Sequence, residues 1–363
     1  MTNWLNRIAI TKIPKVGPIT ARNLISYCGG VDAVFKTSKK ALMKIPGIGE
    51  KTAITLLKKE YFNIAEKELE FIAKKSITPL FFLDKAYPQR LKPLDDAPVM
   101  LYYKGTADLN HPRIVAVVGT RKPSDVSSLL CEELVADLKA YNVLIVSGLA
   151  YGIDAVAHKK SLDLGIETVG VLGHGLNQIY PAQHRKIAEK MLNQGGLLTE
   201  FTSNSKPEAG HFPMRNRIVA GMCDALVVVE TGKKGGSMIT AQYGNEYSKD
   251  VFAIPGNIKD VHSEGANHLI KTHRAALIES AADIGYIMRW EESEEDSPEK
   301  IIIPLTTEEQ ALADLMTKSV EIEIDQLTLA SKFSPNEVAA FLLTMEFKGV
   351  IKSLPGKRYM LIK

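Results

Sequence analysis

The feature that most constrains the fold is a repeated order of short apolar run, small-residue turn and helical pattern. Val118–Ser124 and Ser147–Ala150 are two such turns, and each follows an apolar run and precedes a helical pattern. This order places backbone N–H groups and a helix N-terminus where an anion can bind. Arg121 and Lys122 add positive charge to the first turn. The sequence therefore predicts a phosphate site at these turns.

The same alternation of strand and helix continues through the middle of the chain. Strands are predicted at 114–118, 143–147, 167–172, 197–200, 225–230 and 251–254. Helical patterns fill the gaps, at 124–140, 153–164, 184–194, 214–221 and 237–248. Such alternation favours the α/β class, with a parallel sheet that carries helices on both faces. Ligands of such sheets bind beyond the carboxyl ends of the strands.

Candidate phosphate-binding residues follow the ends of these strands or begin the helices. They are Gly119, Thr120, Arg121, Lys122, Ser124, Ser147, Gly148, Arg215, Asn216, Arg217, Lys234, Gly235, Gly236 and Ser237. The first turn lacks G-x-G-x-x-G, and the chain contains no G-x-x-x-x-G-K-[ST]. The histidines show no H-E-x-x-H spacing. We therefore expect neither a cofactor nor a metal site, and no catalytic residue.

The N-terminal region contains an internal repeat. Ile13–Gly17 and Ile45–Gly49 lie 32 residues apart, and each opens an apolar-periodic helical pattern. This is the pattern of a helix-hairpin-helix pair, in which backbone N–H groups approach a nucleic-acid phosphate. The first copy has Lys15 where the second has Gly47, which weakens a backbone contact there. Possible secondary DNA contacts are Lys15, Gly17, Gly47, Gly49 and Lys51. A helical packing domain without DNA contacts is the open alternative.

Charge and cysteine usage narrow the class of partner and the compartment. Residues 1–110 carry 18 Lys and Arg against 10 Asp and Glu, whereas residues 305–363 carry 7 against 8. A polyanion partner is therefore most plausible toward the N-terminus. The three cysteines are scattered, which fits a reducing cytoplasm. No apolar run reaches 18 residues, so we expect no membrane span.

The C-terminal part resembles a winged helix in its pattern. Thr307–Met316 and Asp325–Lys332 are helical, Ser334 begins a third helix, and Pro355-Gly356 turns between two β-like runs. The third helix begins without Arg or Lys, which favours a protein contact or a stabilising module over a major-groove reader. The predicted domains are 1–65 (helical), 66–290 (α/β), an acidic linker 291–304, and 305–363 (winged helix).

Several ordered motifs carry a resemblance to a known family. They are Val118–Ser124, Ser147–Asp154, Gly173–Leu176, Tyr180-Pro181, Phe212–Arg217, Gly235–Ala241, Phe252–Gly256 and Gly265–Ile270. In this order they resemble the DNA-processing protein A (DprA or Smf) family of bacterial natural transformation. The resemblance covers roughly residues 70–285, and the flanking modules also follow the family arrangement.

The resemblance implies an extended Rossmann-like domain that binds single-stranded DNA, forms a homodimer and helps load the RecA recombinase. A member of the family would protect incoming single-stranded DNA, and no enzymatic step is required. Arg121 and the turns at Ser147-Gly148 and Gly235–Ser237 would contact phosphate. Arg215, Asn216 and Arg217 match the Arg-Asn-Arg motif of the family, which binds DNA or orders the groove.

Two other functions compete with this interpretation. The same Rossmann variant resembles nucleotide phosphoribohydrolases, which use a Pro-Gly-Gly-x-Gly-Thr-x-x-Glu loop. In the nearest stretch here, Lys234–Tyr243, Lys234 replaces the proline and Tyr243 stands where the glutamate is needed. A nucleotide-binding or nucleotide-hydrolysing enzyme is therefore the weaker alternative. A transcription regulator acting through the winged helix is disfavoured by the acidic charge of that module.

Overall fold

The computed structural model describes residues 2–58, 60–292, 305–317 and 321–362. The chain divides into two compact units, Met1–Ser297 and Pro298–Lys363. The helices are α1 Thr2–Ile10, α2 Pro18–Cys28, α3 Val31–Val34, α4 Lys39–Leu42, α5 Glu50–Leu56, α6 Glu60–Lys75, α7 Asp125–Leu138, α8 Ile153–Asp163, α9 Arg185–Met191, α10 His211–Met222, α11 Gly236–Glu246, α12 Glu264–Lys271, α13 Ala281–Met288, α14 Thr307–Met316, α15 Ile324–Ser331 and α16 Pro335–Phe347. The strands are β1 Thr78–Phe81, β2 Met100–Gly105, β3 Ile114–Val118, β4 Leu144–Ser147, β5 Thr168–Leu172, β6 Gly195–Thr199, β7 Ala225–Val228, β8 Asp250–Ala253, β9 Ala276–Leu277, β10 Ile322–Glu323, β11 Ile351–Leu354 and β12 Arg358–Leu361.

A nine-stranded sheet forms the centre of the first unit. Its strand order is β1-β2-β6-β5-β4-β3-β7-β8-β9. Strands β6, β5, β4, β3, β7, β8 and β9 each pair in parallel with the next in this order. At the other end of the sheet, β2 pairs antiparallel with both β1 and β6. The α/β class is confirmed, with the extension that two antiparallel strands continue the parallel sheet.

Each face of the sheet is covered, and the central strands are buried at every position and mostly apolar. In β3, Ile114 and Ala116 contribute to one buried cluster, and Val115 and Val117 contribute to the other. Alternate side chains of a strand point to opposite faces, so a strand buried on both sides reads as a continuous apolar run. Because β3 pairs in parallel with β4 and β7, the turns after these three strands lie at one edge of the sheet.

The N-terminal helices pack onto the antiparallel end of the sheet. Residues of α1, α2, α5 and α6 form one buried cluster with Phe81, Met100 and Tyr102 from β1 and β2. The two predicted hairpin copies share their geometry. Gly17 and Gly49 precede α2 and α5 with φ of −81° and −82°, while Lys15 and Gly47 take positive φ of 68° and 82°. Lys15 therefore adopts a conformation that favours glycine.

The sequence patterns do not predict α1, α3, α4, α12, α13, β1, β2, β9 or β10, and they indicate a helical and Pro-rich connector at residues 61–110. Proline is tolerated in β1 because that strand lies at the edge of the sheet, where a missing N–H costs no ladder bond. Helix α6 also runs without a break through residue 65, where the sequence predicted a domain boundary. The predicted linker lies mostly in residues 293–304, outside the described residues.

The second unit has the elements of a winged helix. Helices α14, α15 and α16 pack around Leu312, Leu327 and Leu342, and β10, β12 and β11 form an antiparallel sheet in that order. Ser334 caps α16 and forms a capping box with Glu337, as the sequence predicted. The two paired strands on either side of Pro355-Gly356 are also confirmed.

Candidate nucleic-acid interface

A cleft of about 690 Å³ opens at the carboxyl edge of the parallel strands. Nine of the predicted phosphate-binding residues line it: Gly119, Thr120, Arg121, Gly148, Arg215, Asn216, Gly235, Gly236 and Ser237. They come from four segments that are distant in sequence, namely the turns after β3, β4 and β7 and the start of α10. The structure therefore brings most of the predicted site together, whereas Lys122, Ser124, Ser147, Arg217 and Lys234 do not line the cleft.

Arg121 is the cation that this cleft presents to solvent. Its side chain is exposed, and it forms no salt bridge with any residue in the described parts of the chain. The guanidinium carbon lies 5.9 Å from the centre of the Phe212 ring. Lys122 and Lys234 are exposed beside the cleft-lining turns. Positive charge is thus concentrated at the entrance of the cleft.

The N-terminus of α11 supplies the second anion-binding feature. Gly235 is the N-cap residue, so no side chain caps the first N–H groups of this helix. The hydroxyl oxygen of Ser237 is buried in the cleft wall and has no hydrogen-bond partner. Uncapped N–H groups and the positive end of the helix dipole favour an anion at this point.

The turn after β4 is already occupied by a carboxylate of the protein. The Gly148 and Ala150 N–H groups donate to Asp154 Oδ2, at 3.1 and 3.3 Å. Burial raises the pKa of the Asp154 carboxyl, and the neighbouring Arg215 and the two N–H groups oppose that effect. The sequence predicted that this turn would contact phosphate. In the structure the Gly148 and Ala150 N–H groups of this turn are engaged by Asp154, and a phosphate contact of the turn stays a prediction.

Arg215 is a structural residue of the cleft wall. It is buried, and its Nη1 donates to the carbonyl oxygens of Gly148 and Val171. A Cβ atom at Gly148 would lie 2.1 Å from Arg215 Nη1, so only glycine leaves room for this guanidinium. Arg215 Nε also donates to Asn216 Oδ1 at 3.1 Å. The sequence left open whether this motif binds DNA or orders the groove. The hydrogen bonds of Arg215 favour the second role for this residue.

Arg217 and Ser147 are buried in the protein scaffold, and the exposed Ser124 is engaged in a helix cap. Arg217 is buried, forms an ion pair with Glu200 at 2.5 Å and donates to the Asp96 carbonyl. Ser147 is fully buried and donates to the Val117 carbonyl at 2.6 Å. Ser124 caps α7 through its side chain. None of these three residues lines the cleft, and a phosphate contact by any of them stays a prediction.

Aromatic side chains border the cleft, and the sequence analysis did not select them as site residues. A smaller cavity of about 90 Å³ adjoins Arg121 and is lined by Tyr151, His174, Tyr180 and Phe212 among others. The Tyr180 and Phe212 ring centres lie 5.8 Å apart. His174 Nε2 accepts from the Tyr180 N–H at 3.2 Å, so its Nδ1 donates to the Gly175 carbonyl. Burial lowers the pKa of His174, which keeps the ring neutral.

The helix-hairpin-helix residues lie outside the cleft. Lys15, Gly17, Gly47, Gly49 and Lys51 are all exposed, and none of them lines the cleft.

Among the described residues, no helix combines the length and apolarity needed to cross a membrane. The same part of the chain contains no group of three His, Cys, Asp or Glu side chains arranged to hold a metal ion.

An open α/β sheet with a cationic cleft at its carboxyl edge, flanked by a helix-hairpin-helix tandem and a winged helix, defines a nucleic-acid-binding class of protein. The model of the DNA recombination-mediator protein A family matches residues 78–289. Models of a SAM-like helix-hairpin-helix tandem and of the DprA winged helix domain match residues 8–59 and 296–357. The chain belongs to the DNA recombination-mediator protein A (DprA/Smf) family.

Individual relatives agree with this assignment. Protein Smf of Synechocystis is 30% identical over 98% of this chain and 97% of its own length. DNA processing protein DprA of Streptococcus pneumoniae is 40% identical over 62% of this chain and 78% of its own. The solved structure of the pneumococcal protein superposes with a TM-score of 0.69 at 32% identity, covering 81% of this chain and 99% of that one.

A second solved structure is the DNA processing protein A of Helicobacter pylori, and it concerns the single-stranded DNA binding mode of that protein. It superposes with a TM-score of 0.54 at 28% identity and covers 59% of this chain and 97% of that one.

Proposed function

We propose that this chain binds single-stranded DNA in the cleft at the carboxyl edge of the sheet. The observation that carries the proposal is the exposed Arg121 beside the uncapped N-terminus of α11 in one open cleft. Both features recognise phosphate rather than a base edge, so the expected binding is independent of sequence. The binding mode studied in the H. pylori relative supports the choice of single-stranded DNA as the ligand.

Aromatic side chains beside the cleft favour a single strand over a duplex. Unpaired bases stack on exposed rings, and Tyr151 and Tyr180 are both exposed next to Arg121. In a duplex the bases are already stacked on each other and present no free face. The combination of cations and rings in one place is the arrangement of sequence-tolerant single-strand binding sites.

The proposed role is that of a recombination mediator in natural transformation. The protein would act in the cytoplasm, cover the phosphates of incoming single-stranded DNA and so protect it from nucleases, and then load RecA onto it. Membership of the recombination-mediator family supports this role. Nuclease-protection and RecA filament assays on a bound oligonucleotide test it, and a protein that neither slows digestion nor accelerates filament formation contradicts it.

We also propose a homodimer formed by the α/β part of the chain. Strands β8 and β9 pair in parallel at the sheet edge, and exposed apolar side chains follow or end them: Leu277 in β9, and Ile258 and Val261 after β8. An apolar patch at a sheet edge is a typical subunit contact. Light scattering is expected to give twice the chain mass, and a single-chain mass at micromolar concentration contradicts the dimer.

The exposed hairpin residues of the N-terminal region are proposed as secondary DNA contacts. Lys15 lies in the first turn and Lys51 follows the second, and both side chains are exposed, as a phosphate contact requires. Lys51→Glu tests this contact by fluorescence anisotropy with labelled oligo-dT and its duplex, and an unchanged affinity for both single and double strands contradicts the contact.

The alternative of a nucleotide hydrolase has less support from the cleft. Among the described residues, Asp154 supplies the carboxylate that lines the cleft. Its Oδ2 accepts hydrogen bonds from two N–H groups, and Arg215 lies nearby. A general base needs a free lone pair toward substrate. Incubation with nucleoside monophosphates and detection of released base or phosphate tests this alternative.

The first prediction concerns Arg121. Replacing it by Glu places a negative charge at the entrance of the cleft, so we expect affinity for labelled oligo-dT to fall at least about tenfold. The measurement is fluorescence anisotropy over a salt series, with the matched duplex as competitor. Loss of a phosphate contact is expected to reduce the log–log salt slope by about 0.7.

Lys190→Glu is the matched control for Arg121→Glu. Lys190 is exposed in the last turn of α9. Helix α9 follows β5, so the C-terminal end of this helix lies toward the edge of the sheet opposite the cleft. The control reverses the same charge and is expected to leave the affinity unchanged. Equal effects of the two variants, or no preference of the wild type for the single strand, contradict the proposed site.

A further inference from the structure

The segment between β6 and α10, residues 201–210, is here called the wall segment. It has no helix or strand, yet Pro207 and Ala209 within it and Phe212 just after it line the cleft. A segment without regular backbone pairing keeps its position only through contacts with its surroundings. What holds the wall segment therefore determines the shape of the cleft.

The N-terminal helical region holds one side of the wall segment. Glu68 in α6 accepts hydrogen bonds from the Ser203 N–H at 2.9 and 3.1 Å and from the Ser203 hydroxyl at 2.7 Å. Lys12 Nζ donates to the Thr202 hydroxyl at 3.2 Å. Glu68 and Ser203 are 135 positions apart in sequence, and Lys12 and Thr202 are 190 apart, so no local sequence pattern predicts these contacts.

The turn after β5 holds the other side. The Gly175 N–H donates to the Ser205 carbonyl at 3.0 Å, and a Cβ atom at Gly175 would lie 2.1 Å from the Thr202 carbonyl oxygen. The wall segment is thus fixed between α6 and the core of the sheet. Residues beyond Ser205 continue from this fixed point into the cleft.

The contact is buried, so its loss cannot be compensated by water. Glu68 and Ser203 are 6% and 5% exposed. Burial lowers the pKa of Lys12, and the carboxylates of Glu68 and Glu200 oppose that effect. Removing the Glu68 carboxylate would leave two donors of Ser203 buried without an acceptor, which is more costly than losing an exposed hydrogen bond.

We propose that Glu68 is a positioning residue for the cleft: it holds the wall segment through Ser203, with Lys12 as a second anchor, and it contacts no ligand itself. The effect on DNA affinity rests on the proposed function, whereas the effect on the wall segment does not. The helix-hairpin-helix region then shapes the cleft through α6, independently of any DNA contact of its own.

The test compares Glu68→Ala with Glu70→Ala in the full chain. Glu70 lies on the same helix and is exposed, so its replacement removes the same charge without the buried contact. Hydrogen exchange without DNA is expected to show amides 201–210 of Glu68→Ala exchanging at least about tenfold faster, with β3 and β4 unchanged. Glu68→Gln keeps one acceptor oxygen and is expected to give an intermediate rate.

Oligo-dT binding by the same variants supplies the second readout. Glu68→Ala is expected to lose about tenfold in affinity with an unchanged salt slope, because no phosphate contact is removed. Unchanged exchange in the wall segment, or acceleration throughout the first unit, overturns the inference. Faster exchange in the wall segment with unchanged oligo-dT affinity refutes the link between Glu68 and DNA binding. A wild type that does not bind oligo-dT contradicts the proposed function, and exchange alone then decides the role of Glu68.

Discussion

Arg215 and Asp154, two buried polar residues of the cleft, stabilise its wall. Arg215 and Asp154 lie close together in the wall, and each also bonds to backbone atoms of the turn that begins at Gly148. Burying one such charge alone is costly, and pairing it with backbone partners offsets that cost. A sequence motif shows which residue types occur together, and it does not show which of them face solvent.

His158 is a buried residue whose protonation state is set by its neighbours. Thr168 donates its hydroxyl proton to the Ile145 carbonyl, so its oxygen accepts from His158 Nδ1, at 2.7 Å. His158 Nε2 is buried without a partner. Burial, followed by the nearby His184 and Arg215, lowers the pKa of His158 from 6.5 to about 3. The ring is therefore neutral in the folded protein.

The residue-scale prediction is a loss of stability in mild acid. The unfolded chain binds a proton at His158 below about pH 6.5, and the folded chain does so only near pH 3, so stability falls as the pH falls through this window. By pH 5 this residue alone is expected to cost on the order of 2 kcal/mol. Urea unfolding from pH 7 to pH 5 measures it.

His158→Asn is the comparison for this prediction because it removes the titrating group and keeps a polar side chain. Its stability at pH 7 is expected to be lower, since the contact with Thr168 changes. Its dependence on pH between 7 and 5 is expected to be flatter than that of the wild type. Parallel pH profiles for the two proteins would assign the acid sensitivity to another group.

At the scale of the element, helix α8 shows how the turns at its two ends differ. Gly152 precedes the helix and Gly165 follows it, and both have a φ of 78°. A Cβ at Gly152 would lie 2.2 Å from the Thr120 carbonyl oxygen, whereas nothing lies within 4 Å at Gly165. Gly152 therefore permits the close approach of the β3 turn, and Gly165 only permits the backbone conformation.

The element-scale prediction uses these two glycines as a matched pair. Gly165→Ala is expected to destabilise the protein by about 1–2 kcal/mol through the positive φ alone. Gly152→Ala is expected to cost about 2 kcal/mol more because of the clash with the turn that carries Arg121. Urea unfolding measures both variants, and only Gly152→Ala is expected to weaken oligo-dT binding. Equal destabilisation by the two variants would show that the β3 turn relaxes freely.

Elements with a strong local pattern were predicted well, and those without one were missed. Strand β3 and helix α14 agree with their predicted bounds because they combine apolar periodicity with clear turn or capping signals. Strand β1 was missed because it is short and contains a proline, and β9 has only two residues. Such strands form because neighbouring strands provide hydrogen-bonding edges, which a local pattern does not contain.

At the scale of the whole molecule, the two compact units have separate buried clusters. The cleft is lined entirely by residues of the first unit. Helix α16 of the second unit contains no Lys or Arg, and its exposed side chains include Leu343 and Phe347. A helix that reads the major groove usually presents cations there. The exposed apolar side chains instead fit a contact with protein.

The whole-molecule prediction is that a chain of residues 1–297 keeps its single-strand affinity to within about twofold of the full chain. The reason is that both the cationic entrance and the helix N-terminus belong to this unit. Anisotropy with oligo-dT measures the affinity, and circular dichroism confirms that the shorter chain is folded. A tenfold loss in a folded truncation would assign part of the DNA site to the winged helix.

The sequence by itself determined the α/β class, the strands of the parallel sheet except β9, the repeated hairpin turns and the edge of the sheet at which the cleft opens. These follow from periodicity and turn chemistry, which act over a few residues. Only the tertiary structure decided which cations remain exposed, that the β4 turn is filled by Asp154, and that Glu68 reaches the wall segment. Which side chains become buried depends on packing, and Glu68 and Ser203, 135 positions apart, meet only when the sheet and the helices have assembled.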